Sequence, residues 1–297
     1  MRPDDWHLTE DVHEFLSRAG DFLHSRPALH TMHLTMIEKH RVNGVSANPA
    51  ETPVFGRLER DGEVHAGFYQ RSPTGYLSLI SMAPDQADAL AARLADLGRP
   101  VPGVSADHDA STAFAEAWQR RTGAEPVVTT RLHLYRLGTL TPQSPFPEGR
   151  GHLAGERDRE QVVRWCREFC VDVGEQHSID LIDAGAWDDS RFGDRNFMFW
   201  RTPDGTPVSM AATTSIVGGM VRVDPVYTPA RLRGRGYAGA VTVEASRAAL
   251  AAGARDIVLF TDPGNPTSNA LYQRLGYVRL TDFTVYEFPS AAPKAAA

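Results

Sequence analysis

Four consecutive segments constrain the fold of this chain more than any other feature. The β-branched run "MVRVDPVY" (Met220–Tyr227) leads through "RLRGRG" (Arg231–Gly236) into the small-residue run "YAGAVTVEASRAALAAGA", and then into the short apolar run "DIVLF". The first reads as a strand, the third as a helix, and the last as a strand buried on both faces. A strand–helix–strand connection is right-handed and leaves its two strands parallel. The helix must therefore lie on a sheet, with its N-terminus at the crevice where the first strand ends.

The same order of elements occurs twice. In the first half, "PVFGRLERDGEVHAGFY" is a hairpin turning at Asp61-Gly62, after an amphipathic helix over Thr9 to Leu23. The strand "YLSLISM", the helix "DQADALAARLADLG", the helix "STAFAEAWQRRTG" and the strand "VVTTRLHLYRL" follow. In the second half, "EQVVRWCREFC" is the helix and the hairpin turns at Asp204-Gly205. After the four segments above come the helix "SNALYQRLG" and the strand "LTDFTVYEF". The segment "TPQSPFPEGRG", with three prolines and two glycines, reads as a connection. The expected division is a domain over 1–140, a linker over 141–151, a second domain over 152–290 and a disordered tail over 291–297. Each domain should be α/β (α+β), a mixed sheet flanked by helices.

Among 297 residues the formal net charge is -6, which argues against a general nucleic-acid binder. No run approaches the roughly 20 apolar residues of a membrane helix, and "MRPDDWHLTEDVHEF" lacks a signal-peptide core, so the expected location is the cytoplasm. Cys166 and Cys170 share one helix face with no second ligand pair at a zinc spacing; both read as small core residues. The histidines, His30 and His33 among them, form no metal set and are expected at surface or helix-face positions. No metal is expected.

The glycine loop carries chemistry. A helix that starts straight after a strand points unpaired N–H groups into the crevice. Gly234 and Gly236 clear side chains from that corner, and Arg231, Arg233 and Arg235 add positive charge. Together they describe a pyrophosphate cradle. It is not a Walker loop, because Tyr237-Ala238 stands where Lys-Ser/Thr is required, and its glycine spacing is not that of the dinucleotide fingerprint.

Arg-x-x-Gly-x-Gly after a strand resembles the pyrophosphate loop of the GNAT (GCN5-related N-acetyltransferase) superfamily. "TDPGNPTSNALYQRLGYVRL" is similar to the next part of that fold, some 35 residues on. The resemblance implies two tandem GNAT-like domains, each a mostly antiparallel mixed sheet, and acetyl-CoA as co-substrate. It implies that the amides of Asp224, Pro225 and Val226 line the pantetheine, although Pro225 has no N–H. It places the diphosphate on Arg231, Leu232, Arg233, Gly234, Arg235, Gly236 and Tyr237, the pantetheine arm on Asn265, and Tyr272 beside the thioester sulfur as proton donor. The glutamate that many family members carry before the asparagine is replaced by Phe260, so Asp262 becomes the candidate base. Glu175, His177 and Asp180, in an acid-rich stretch after the first helix of that domain, are candidate acceptor contacts that would favour a cationic amine, and they are alternatives to Asp262 as a base acting through water. The first half carries "APDQAD" instead of the glycine loop and Gln119 at the position matching Tyr272, so it resembles a degenerate repeat that has lost the cofactor. The implied function is acyl transfer to a small-molecule amine by a monomer or homodimer, with a non-catalytic CoA-sensing or partner-binding module as the alternative and an RNA-associated protein as a third reading.

Overall fold

The computed structural model describes residues 5–44, 52–72, 75–185 and 194–289. They form two compact units: 1–134 with 280–297, and 135–279. The expected tail, 291–297, lies outside the described residues.

In the first unit the strands run in the order β1 (Trp6–Thr9), β2 (Val54–Arg60), β3 (Glu63–Gln70), β4 (Leu77–Ile80), β5 (Gly103–Asp107) and β12 (Tyr277–Glu287) from Leu280 onward. β2 and β3 form the hairpin expected at Asp61-Gly62, with both turn residues at positive φ (50° and 81°). β4 and β5 are parallel, and α3 (Pro84–Asp96) connects them. α1 (Val12–Ser25) starts where Asp11 accepts hydrogen bonds from the amides of His13 (2.7 Å) and Glu14 (3.2 Å). α4 (His108–Thr122) stops at Gly123, φ 76°. The core packs Trp6, Leu58, Phe68, Leu79, Leu90 and Phe114 together.

The periodicity does not show α2 (Thr31–Asn43). Its two core residues, Leu34 and Ile37, are only three apart, with polar residues on most other positions, so no apolar stripe develops. His30 and His33, expected at surface or helix-face positions, are the N-cap and a first-turn residue of this helix and are 1% and 2% exposed, so they lie on its buried side.

In the second unit the order is β6 (Val127–Leu137), β11 (Asp256–Thr261), β10 (Met220–Tyr227), β9 (Pro207–Thr214), β8 (Arg195–Arg201) and β7 (Arg150–Leu153), β6 contributing its last three residues. β10 and β11, joined by α7 (Tyr237–Ala251), are parallel, as the crossover requires. Alternate residues of β8 and β9 face opposite ways. Phe197, Phe199 and Met210 pack on Val162, Trp165 and Cys166 of α5 (Arg159–Val173), while Trp200 and Ala211 meet Ala240, Val241 and Ala245 of α7. Both cysteines are buried and neither forms a disulfide, which agrees with a packing role. α6 (Gln176–Asp183) and α8 (Pro266–Arg274) complete the unit.

The units divide inside β6 and β12 instead of in the proline-rich segment. Only Tyr277–Arg279 of β12 belong to the second unit, and Phe283–Glu287 pair with Gly103–Asp107 in the first. Among the described residues no helix is long and apolar enough to cross a membrane.

Phe199 is fully buried and meets the Trp165 ring edge-on at 5.3 Å. Phe199→Ala should destabilise the protein by about 3–5 kcal/mol, read as a shift in the urea midpoint at unchanged slope.

Candidate functional site

The site begins with a strand pair that parts. β10 pairs with β11 over Met220↔Asp256, Val221↔Ile257 and Arg222↔Val258, and no further. Both strands continue, to Tyr227 and Thr261. On its other side β10 shifts register against β9 between Val223 and Val226, so Asp224 and Pro225 form a bulge. A bulge bends its strand and increases its twist, and proline offers the ladder no N–H. β10 thus swings away from β11 and leaves a wedge open at their C-terminal ends.

The glycine loop stands at that end. A single 3-10 turn (Ala230–Leu232) leads into Gly234 and Gly236, at φ 77° and 81°, a conformation that favours glycine. α7 starts immediately. From Gly234 to Gly239 no backbone N–H finds an acceptor among the described residues; the first helical bond joins the Ala240 amide to the Gly236 carbonyl. A Cβ on Gly234 would have no heavy atom within 4 Å. The corner is therefore open on the Gly234 side. On the Gly236 side it is bounded by Gln143, whose amide donates to the Gly236 carbonyl at 2.6 Å and against which a Cβ on Gly239 would collide. Gln143 belongs to the segment read from sequence as linker.

The three arginines have different surroundings. Arg233 donates to the Thr228 carbonyl at 2.9 Å and pairs with Asp172, which braces the loop against α5. Arg231 and Arg235 are exposed, the latter reaching the Arg231 carbonyl at 3.4 Å. Leu232 and Tyr237 are half-buried against the α7 cluster.

Tyr272, on α8, packs edge-on against Tyr277 with ring centroids 5.9 Å apart and is 8% exposed. Its hydroxyl has no hydrogen-bond partner among the described residues. Burial first, then Tyr277 and the Asp224 carboxylate, push the phenol well above the usual tyrosine range. Tyr272 packs in one cluster with Val221 and Val223 of β10, Val226 lying against it, which sets the ring beside the bulged strand. The Asp224 side chain pairs with Arg195 at 3.0 Å, and that arginine side chain is only 7% exposed.

Asn265 is the N-cap of α8, its side-chain oxygen accepting from the Ser268 amide at 3.0 Å. Asp262 is exposed in the preceding turn and accepts from the Gly264 amide at 2.7 Å. Asn269, which the sequence reading passed over, ties this turn together. It accepts from the Thr261 hydroxyl (2.6 Å) and donates to the carbonyls of Asp262 (2.9 Å) and Asn265 (2.8 Å). A side-chain amide spaced four residues from a helix cap is the signal that could have revealed it.

The acid-rich stretch is more neutralised than its composition suggests. Asp172 pairs with Arg233, and Asp183 with Arg167 (2.6 Å), both arginines lying outside the stretch. Glu175 accepts from Ser178 (3.1 Å) and Asp180 from Gln176 (2.7 Å). His177 lies on α6, but its side chain falls outside the described residues, as do Asp188 and Asp189. Nearer the wedge, Glu168 of α5 accepts from the Tyr227 hydroxyl at 2.8 Å; burial and this carboxylate raise the Tyr227 phenol strongly.

Residues 160–277 match the model of the acetyltransferase (GNAT) family. No curated protein matches the sequence. Among solved structures the chain is similar to a GCN5-related N-acetyltransferase from Sphaerobacter thermophilus, at 16% identity and TM-score 0.54, covering 96% of each chain. It is also similar to one from Kribbella flavida, at 18% identity and TM-score 0.51, covering 87% of this chain and 96% of that one. A third is a tandem GNAT protein from the clavulanic acid biosynthesis pathway, at 12% identity and TM-score 0.57, covering 97% of this chain and all of the other. The chain therefore shares the fold of these structures, the tandem GNAT protein among them, and the stretch that matches the family model lies within its second unit.

Gly234→Ala puts a methyl into the open corner at positive φ without touching protein. It should cost about 1 kcal/mol of stability and weaken binding of inorganic pyrophosphate at least tenfold, about 1.4 kcal/mol. Urea denaturation and titration calorimetry measure the two effects separately.

Proposed function

We propose that this chain is an acetyl-CoA-dependent N-acetyltransferase that acts on a small amine in its second unit. The observation that carries this reading is the run of unclaimed amides from Gly234 to Gly239, set at the mouth of the β10–β11 wedge with Tyr272 nearby. Six successive N–H groups at a helix start suit a diphosphate, because each bond to a charged oxygen is roughly twice as strong as a neutral one. The helix dipole adds about 0.3–1 kcal/mol.

Acetyl-CoA would supply an acetyl group already activated as a thioester. The residues present fit it. Gly234 leaves the loop backbone open, Arg231 and Arg235 lie exposed beside it, and Gln143 holds the Gly236 carbonyl in place. Val223–Tyr227, where β10 has lost its β11 partner, would hold an extended arm along its free side. Because burial keeps its phenol protonated, Tyr272 holds a proton at its hydroxyl for a departing thiolate. On the amine side Asp262 is the candidate base: one carboxylate oxygen is held by the Gly264 amide while the exposed group stays open to water, which relays the proton. Asn265 positions the turn that carries Asp262 through its cap of α8. Attack is direct, which leaves the buried cysteines unused.

Thiol release from acetyl-CoA in the presence of amino acids, polyamines, aminoglycosides and short peptides tests the proposal. Release with at least one class is expected; silence across the panel, with pyrophosphate still bound, would make this a binding module. Tyr272→Phe should lower kcat about 10²-fold and leave KM for acetyl-CoA unchanged in steady-state kinetics.

A further inference from the structure

The first unit has a strand–turn–helix corner of its own. β4 ends at Ile80 and α3 begins at Pro84. Between them Ser81 adopts φ 41°. Among the described residues the only other non-glycine with positive φ is Asp61, which its hairpin turn explains. No tight hairpin requires it at Ser81. Left-handed backbone at a non-glycine residue is strained and persists where the surroundings impose it. A serine on a strained strand-to-helix turn is the arrangement that exposes a nucleophile in hydrolases of unrelated fold.

The partner that such a serine needs is present. His30 Nε2 lies 2.6 Å from the Ser81 hydroxyl, and His30 Nδ1 lies 2.9 Å from the Leu23 carbonyl. A carbonyl only accepts, so the ring proton sits on Nδ1 and Nε2 carries the lone pair. The Ser81 hydroxyl therefore donates to His30. The ring is 1% exposed and rests against Phe22 (centroids 5.4 Å apart), whereas Ser81 is only half-buried. Burial pushes the imidazole down to about 4, with Arg26 acting in the same direction and the Leu23 carbonyl opposing it. His33, itself 2% exposed, is the neighbouring ring and bonds Ser78 at 2.9 Å. His30 is thus neutral and able to accept a proton. The amide of Met82, next after Ser81, has no acceptor among the described residues and stands where an oxyanion donor stands in a nucleophile elbow.

We infer that Ser81 and His30 form a nucleophilic dyad in the first unit that accepts acyl groups from activated carboxylic esters or thioesters. The Ser81 oxygen bonds to the carbonyl carbon, and its proton passes to His30 Nε2. The bond from that carbon to the leaving oxygen or sulfur then breaks, and the leaving group takes the proton from His30. Water attacks the acyl-serine, with His30 accepting its proton and returning it to the Ser81 oxygen, which releases the carboxylic acid. A backbone carbonyl stands where a triad has a carboxylate, so the imidazolium is weakly stabilised and turnover should be slow.

An irreversible probe suits a slow nucleophile. The full chain is incubated with a biotinylated fluorophosphonate, which transfers its phosphonyl group to the serine oxygen with loss of fluoride and a proton, and labelled peptides are mapped by mass spectrometry. The label is expected on Ser81. It should disappear in Ser81→Gly, a residue that suits φ 41° and so preserves the fold, and fall at least tenfold in His30→Gln. A map of the folded wild-type chain with no label on Ser81 overturns the dyad, as does undiminished labelling of Ser81 in folded His30→Gln. If His30→Gln does not fold, the wild-type map and Ser81→Gly decide.

Discussion

The candidate site in the second unit depends on one interruption of hydrogen bonding, the end of the β10–β11 ladder at Arg222↔Val258. Had pairing continued, the free side of Val223–Tyr227 would be occupied by β11 and no extended group could lie along it. The interruption comes from the other side of the strand. The bulge at Asp224 and Pro225 takes β10 out of register with β9 and bends it, and bending separates it from β11. Within that bulge Asp224 pairs with Arg195, and Val223 and Val226 on either side of it pack with Tyr272.

The two units show how similar frameworks acquire different chemistry at one corner. In the second, Gly234 and Gly236 absorb a left-handed backbone and α7 starts with its amides unclaimed. In the first, the start of α3 is closed on itself. The Gln86 side chain accepts from the Ala83 amide at 2.8 Å, Pro84 has no N–H, and Asp85 places a negative charge in the first turn. These features compensate the positive end of the helix from within, so the first unit offers a phosphate little. Its corner instead presents Ser81 against a neutral imidazole.

Much of this was legible in the chain. Both hairpins fall at the Asp-Gly pairs, and the parallel crossover follows from the order of strand, glycine loop, helix and short apolar strand. Other features were not. α2 has no stripe to read, because its burial is local, and His30 and His33 look like ordinary polar residues until the core closes around them. The change of partner within β12 leaves no trace either, since a strand's composition reports burial and not which neighbour supplies it. Asn269 and Gln143 act through side-chain hydrogen bonds to backbone carbonyls, two from the first and one from the second, which carry no periodicity.

What the sequence by itself determined is the local grammar: where helices start and stop, which turns need glycine, and that the helix after "RLRGRG" must face a crevice. Those follow from backbone sterics and from periodicities of two and 3.6 residues, which act over a few residues and so are written in consecutive letters. Only the tertiary structure decided that β10 would leave β11, that Gln143 would flank the glycines, and that Ser81 would meet His30 across a separation of 51 positions. Such contacts arise when distant segments compete for the same buried space, and no window along the chain contains both partners.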